Sequence, residues 1–166
     1  EQLQSTMLFE GLSKEEIDSV LREFKEESYP AGAMLFDAQS PGSTVYIITK
    51  GSVRISRVTS FGDETTLDIV SVGEVVGELA SIDGQARSAR ATCLENTTAL
   101  VAGKEVFERL IKENRNIAFN LLRELSARIR KADDTIVKRL EEQRNAIESR
   151  FLKLHQLIEA SKIINS

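Results

Sequence analysis

The sequence predicts a mainly β fold with added α: a β-roll or jelly-roll barrel, flanked by N-terminal helices and followed by one long C-terminal coiled-coil helix. Three observations carry this. All nine glycines and both prolines fall at or before Gly103, and Lys104 to Ser166 contains neither. Between Tyr29 and Ala102 the chain is a series of short β-branched runs separated by turn residues, the pattern of a sandwich or barrel. Beyond Arg115 apolar residues recur every three or four positions to about Ile163, which is a helical stripe.

Each element has a local reason. Ser13-Lys14-Glu15-Glu16 reads as a capping box, in which Ser13 accepts from the Glu16 amide and Glu16 reaches back. Ile17, Val20, Leu21 and Phe24 follow at helical spacing, so a helix is expected from Lys14 to Phe24. Thr44 to Ile48 is β-rich, and Lys50-Gly51 turns. Val53 to Val58 alternates with period two. Phe61-Gly62-Asp63-Glu64 is a hairpin signal, with Thr66 to Val70 as the return strand. Ala86 to Cys93 and Thr97 to Val101 supply the last strands. After Lys104 a short helix gathers Val106, Phe107, Leu110 and Ile111 on one face, and Asn114 interrupts it.

The long helix, if continuous from Arg115, extends ~70 Å at 1.5 Å per residue. Leu125, Ile129, Ala132, Ile136, Leu140, Gln143, Ile147, Phe151, Leu154 and Ile158 form its stripe, with stutters such as Ala132-Ile136-Leu140. That is a coiled-coil seam whose stutters relax the left-handed supercoil. A homodimer through this helix is the expectation; the alternative is an amphipathic helix folded back on its own domain. The expected division is residues 1–114 for the roll with its N-terminal helices, and 115–166 for the dimerisation helix.

The 166 residues carry 22 Lys and Arg against 26 Asp and Glu, a net charge of -4. Nucleic acid is therefore not an expected partner. Cys93 is the only cysteine, which suits a reducing, cytoplasmic setting. No apolar run approaches the ~20 residues that span a bilayer, and Glu1 to Gln4 lacks the features of a signal peptide. His155 has no Cys, His or paired acid at ligand spacing, so no metal site is expected.

Gly77-Glu78-Leu79-Ala80-Ser81, followed by Arg87-Ser88-Ala89, is the segment that points to a small molecule. It gathers a carboxylate, a guanidinium, a hydroxyl and a set of backbone amides. Gly77 allows close backbone approach. Glu78 to Ser81 can form one helical turn whose free N–H groups receive a phosphate. Arg87 adds a charge-assisted bond to the same group. Glu78 would repel that phosphate, but suits a ribose hydroxyl beside it. The alternative is that Glu78 and Arg87 pair with each other on the surface, a link worth ~0–1 kcal/mol.

The chain resembles the cyclic-nucleotide-binding domain of the catabolite activator and protein kinase A regulatory-subunit type, from about Met7 to Ala132. The resemblance rests on Leu8-Phe9, on Gly32 leading into Met34-Leu35-Phe36, and on Tyr46 to Val53. It continues through Gly73, Gly77-Glu78-Leu79-Ala80 and Arg87-Ser88-Ala89. It implies that Glu78 takes the ribose 2′-OH and Arg87 the cyclic phosphate. Amides near Leu79 and Ala80, and the Ser88 hydroxyl, complete the cradle. Val76 and Arg90 depart from the family pattern, and Arg90 is expected to alter the pocket rim. Ser88, where cGMP-preferring members often carry Thr, favours cAMP, with cGMP as the alternative. The long helix usually lids the base, here near Arg130 to Asp134, so Asp133 or Asp134 is the candidate contact.

The resulting expectation is a cAMP-binding regulatory module, not an enzyme. It would signal through a dimeric helix to a downstream domain of the same chain. Leu154 to Ser166 is similar to the lead-in of a GAF domain, which supports that continuation. The alternatives are the effector domain of a catabolite-activator-type transcription regulator, and a dimerisation module with an unused pocket.

Overall fold

The computed structural model describes residues 6–165. Two compact units divide between Glu124 and Leu125. The first opens with a 3-10 turn at Met7–Phe9, which buries Leu8 and Phe9. Helix α1 (Lys14–Leu21) begins on the predicted capping box, with Glu16 N donating to Ser13 Oγ at 3.2 Å and Ser13 N to Glu16 Oε2 at 2.8 Å. The helix stops at Leu21 rather than Phe24, because the chain turns there into a strand.

Eight antiparallel strands follow: β1 (Lys25–Tyr29), β2 (Met34–Phe36), β3 (Thr44–Lys50), β4 (Val53–Val58), β5 (Glu64–Val70), β6 (Val75–Val76), β7 (Arg90–Cys93) and β8 (Thr97–Gly103). They form two four-stranded sheets, in the orders β1-β8-β3-β6 and β2-β7-β4-β5. This is the jelly-roll-like arrangement predicted. The strands enclose the core of Tyr46, Ile48, Val53, Val70, Val76, Ala91, Cys93 and Ala99, and β3 is buried on both faces over Val45–Ile48. Gly51 holds the β3–β4 turn at φ +88°, where a Cβ would sit 2.6 Å from the Asn96 carbonyl, so only glycine fits without rearrangement.

Three strands were not expected: β1, β2 and β6. β2 is three residues long, Met34–Phe36. β1 is an edge strand whose first four residues are exposed, and its charged side chains guard that edge. β6 is two residues long. One strand is shorter than expected: β7 starts at Arg90, not Ala86, because the Arg87 backbone bonds elsewhere. Arg87 N donates to Ser40 O at 2.9 Å, and its carbonyl accepts from Gln39 N at 2.8 Å.

Helices α2 (Glu78–Asp83), α3 (Lys104–Glu113) and α4 (Arg115–Ile164) complete the chain. Asn114 separates the last two. Its φ of -123° ends α3, and its Oδ1 then caps α4 by accepting from Asn116 N at 3.1 Å and Ile117 N at 3.2 Å. The first turns of α4 bury Ile117, Asn120, Leu121 and Glu124 in the first unit.

Asn120 ties this helix to the N-terminal segment. Its buried amide donates to Leu8 O at 3.0 Å and Glu10 O at 2.7 Å. Replacing it with leucine leaves the Leu8 carbonyl buried and unpaired. We expect Asn120→Leu to cost about 2–4 kcal/mol in urea unfolding. Removing the neighbouring exposed Arg123–Glu10 pair, at 3.0 Å, should cost about 1 kcal/mol or less.

The second unit is the rest of α4, from Leu125. Among the described residues, no helix is long and apolar enough to cross a membrane.

Candidate functional site

Residues β6 through β7 build the site. Val75 and Val76 are buried and anchor β6 against β3. Gly77 then turns at φ 88° and ψ 5°, a left-handed conformation that reverses the chain directly into α2. Pro41-Gly42 closes over this helix so tightly that a Cβ on Gly42 would lie 2.1 Å from the Ala80 Cβ. Gly84 ends α2, again left-handed at φ 70°.

Glu78 and Arg87 are both buried, at 3% and 4% exposure. A surface ion pair is therefore not what they form. Arg87 Nη1 donates to Gly77 O and Nη2 to Thr44 O, each at 2.7 Å. The guanidinium carbon sits 4.1 Å from the Phe36 ring centroid, a cation–π contact. Arg87 Nε has no hydrogen-bond partner among the described residues. Burial pushes the Arg87 pKa down from its ordinary value, opposed by Tyr46 and by the Glu78 charge. A guanidinium held on two carbonyls, with a donor left over and a carboxylate charge in its field, fits an anion that also carries hydroxyl groups.

Ala80 and Ala89 are buried, and they seat the two ends of the segment in the roll. The Leu79 side chain lies outside the described residues. Ser88 is exposed, and its carbonyl accepts from Arg57 Nε at 3.3 Å and Nη2 at 3.0 Å. Asp133 and Asp134 lie exposed on α4, in the second unit.

An open cleft of about 610 Å³ borders Arg87 and Ser88, and Gln39, Ser56, Arg57 and Arg90 also line it. That volume is in the range of small-molecule sites. Glu78 is not among its lining residues. Arg90, the departure noted above, does stand on this rim. It pairs with Asp37 through Nε–Oδ1 at 2.9 Å and Nη2–Oδ2 at 3.3 Å. The hydrogen bond from Arg90 holds Asp37 below its ordinary pKa. Glu64 is lowered as well, first by Ser56, which donates to it at 2.6 Å, and then by Arg54.

Sequence reasoning missed the Thr44 and Gly77 carbonyls, the Phe36 face and the Asp37–Arg90 pair. Backbone acceptors carry no residue signature. Phe36 stood within a recognised motif but had no role assigned. Among the described residues, no group of three or more His, Cys, Asp or Glu side chains is gathered to hold a metal ion. Cys93 is a free thiol within the core.

A two-sheet antiparallel roll thus presents a buried acid and a buried arginine on one short helix-bearing segment. The sequence profile of the cyclic nucleotide-binding domain matches residues 26–114, and the chain belongs to that family. The cyclic AMP receptor protein of Thermus thermophilus is 35% identical over 153 residues, 92% of this chain and 71% of that protein. The CRP-like cAMP-activated global transcriptional regulator of Mycobacterium tuberculosis is 27% identical over 129 residues, 78% of this chain and 58% of that protein. The crystal structure of the Thermus thermophilus catabolite activator protein superposes with a TM-score of 0.72 at 35% identity, covering 79% of this chain and 62% of that one. The chain thus spans less than two thirds of the mycobacterial regulator and of the crystallised activator. It is a cyclic nucleotide-binding regulatory domain of the kind these regulators carry.

Proposed function

We propose that this domain is a cAMP-responsive input module. Glu78 accepts from the ribose 2′-OH. Arg87 Nε, with the remaining guanidinium protons, takes the cyclic phosphate. Backbone amides from Gly77 to Ala80 and the Ser88 hydroxyl complete the cradle, Ala89 closes the segment, and Asp133 reaches the base. The observation that carries this reading is the Arg87 guanidinium: buried, held on two carbonyls, left with Nε unused among the described residues, and within the field of the Glu78 charge.

The signal then passes to α4. Glu124 Oε1 accepts from Val75 N at 3.2 Å, two residues before Gly77, so ordering the segment pulls on the helix directly. Residues 115–166 act as the signalling and dimerisation helix, and residues 1–114 as the sensor. The helix leads to a downstream domain of the same chain, for which the GAF-like character of Leu154 to Ser166 is the motive. Calorimetric titration with cAMP and cGMP tests the nucleotide reading, and absence of heat with both would sink it. Glu78→Gln keeps the shape but removes the charge from the sugar contact. It should weaken cAMP binding by about 10- to 100-fold, as expected for losing a charged hydrogen bond of ~1.5–3 kcal/mol.

A second reading is favoured by the relatives, a cyclic AMP receptor protein and a transcriptional regulator. In it the domain is the effector half of a transcription factor, and the output lies in a DNA-binding segment. Salt-dependent binding of the full-length protein to duplex DNA would favour that reading over a relay into another sensor.

A further inference from the structure

An irregularity in β2 decides where one aromatic ring points. Met34 pairs with Thr92 but Phe36 pairs with Ala91, so the register slips between them. Residues two apart on a regular strand share a face. Thr92 and Ala91 are neighbours on β7 and face opposite ways, and Ala91 belongs to the buried core. Met34 accordingly stays 49% exposed, while Phe36 is turned inward against the core. A bulge beside a binding site that re-aims a side chain is a working feature of a sheet.

Tyr46 braces this bulge. Its hydroxyl donates to the Leu35 carbonyl, inside the slip, at 3.4 Å. Its ring lies 6.1 Å from the Phe36 ring, tilted by 35°. Tyr29 meets the same tyrosine edge-on, at 6.4 Å and 68°. Burial pushes the Tyr46 phenol up, against the opposing charge of Arg87, so the hydroxyl remains a neutral donor. The turned ring of Phe36 then meets Arg87, whose guanidinium carbon is 4.1 Å from the ring centroid. Arginine carries five N–H donors around the edge of a planar group. Two point at the Gly77 and Thr44 carbonyls. Those two bonds fix two points of the plane and leave it free to swing about the line between them. A ring against one face removes that freedom and blocks none of the edge. It also offsets part of the cost of burying the charge, because the face of an aromatic ring is negative.

We infer that Phe36 is a positioning residue for Arg87: the β2 bulge turns its ring onto the guanidinium face and holds the plane, so that Nε and the remaining edge donors point to one place before a ligand arrives. A group already held in its bound orientation loses less freedom on binding. The ring therefore raises affinity for an anion that it does not itself touch. The step from ring to affinity rests on the proposed reading of Arg87 as the phosphate ligand. The hold on the guanidinium exists without ligand.

Two variants of the 1–166 chain test it, Phe36→Leu and Phe36→pentafluorophenylalanine. Leucine removes the flat face. The fluorinated ring keeps the apolar packing that fills the bulge, but its face is no longer negative, so it carries the test if leucine loosens the fold. Two readouts are taken. In the ligand-free chain, the Arg87 Hε proton is followed by NMR and assigned by its loss in Arg87→Lys. Lying over the ring, it should resonate upfield of the other arginine Hε signals, and it should move downfield in both variants. By calorimetry, both variants should bind cAMP about 3- to 30-fold more weakly than the parent, the span of a desolvated cation–π contact. A purely space-filling role for Phe36 predicts parental affinity in the fluorinated variant. That result, or a parental Hε signal lying among those of the other arginines, overturns the inference. If the parent gives no heat with cAMP or cGMP, the phosphate reading fails, and the ligand-free Hε signal still decides whether Phe36 holds Arg87.

Discussion

Replacing Arg87 with leucine is expected to weaken cyclic-nucleotide binding by about 30- to 1,000-fold, the ~2–4 kcal/mol that follows from truncating one partner of a buried charge pair. The side chain is 4% exposed, so water cannot replace it in the site. The same change unpairs the Gly77 and Thr44 carbonyls. Part of the cost therefore appears as lower thermal stability, and melting without ligand reads that share separately. Arg87→Lys tests the geometry. A lysine keeps the charge but cannot span both carbonyls and still present a donor. It should recover only part of the affinity, leaving binding at least tenfold weaker than in the parent chain, by about 1.4 kcal/mol or more. If calorimetry gives an unchanged Kd for Arg87→Leu, Arg87 does not hold the phosphate.

What could be read from the residues, and what could not, follows from where side chains report on backbone. β3 was legible as a β-branched run because it is buried on both faces, and β4 because Val53 and Ile55 alternate with polar residues up to the bulge at Ile55–Ser56. The capping box at Ser13 and Glu16 was legible because its geometry lies within four consecutive residues. β1 was not, because Lys25 to Ser28 are exposed and charged, and their pairing with β8 is set by partners some 70 residues away. β7 begins at Arg90 rather than Ala86 because the Arg87 backbone bonds to Gln39 and Ser40, a pairing that nothing in the local sequence reports. The chemical types in the site, one acid and one arginine, were visible. The fork that holds Arg87 in place was not, since it is made of carbonyls.

These same contacts join the segment to the rest of the roll. Thr44 lies on β3, and Gly77 follows β6, whose Val75 amide is held by Glu124 of α4. Asn120, one turn earlier, holds the chain at Leu8 and Glu10. A shift of the segment is thus met by packed, buried groups rather than by solvent, which favours two discrete arrangements over a graded one. The first turns of α4 are packed into the same unit as the segment.

Gly77→Ala should damage stability and binding together. At φ 88° an L-residue costs roughly 1–2 kcal/mol. A Cβ there would also sit 2.6 Å from Arg87 Nη1 and 2.8 Å from Thr44 O, the two groups that form the fork. The methyl must displace the guanidinium or the strand, raising the loss to about 2–4 kcal/mol once overpacking is added. Because the displaced group is the proposed phosphate ligand, binding of cAMP should fall at least tenfold as well, by about 1.4 kcal/mol or more. Gly62→Ala is the control. Its φ is 87°, but nothing lies within 4 Å of the added Cβ, so it isolates the backbone strain. It should lose roughly 1–2 kcal/mol of stability with affinity unchanged. Urea unfolding and calorimetry on both variants give four numbers. If Gly77→Ala and Gly62→Ala lose the same stability and bind cAMP equally well, the close approach at Gly77 has no part in positioning Arg87.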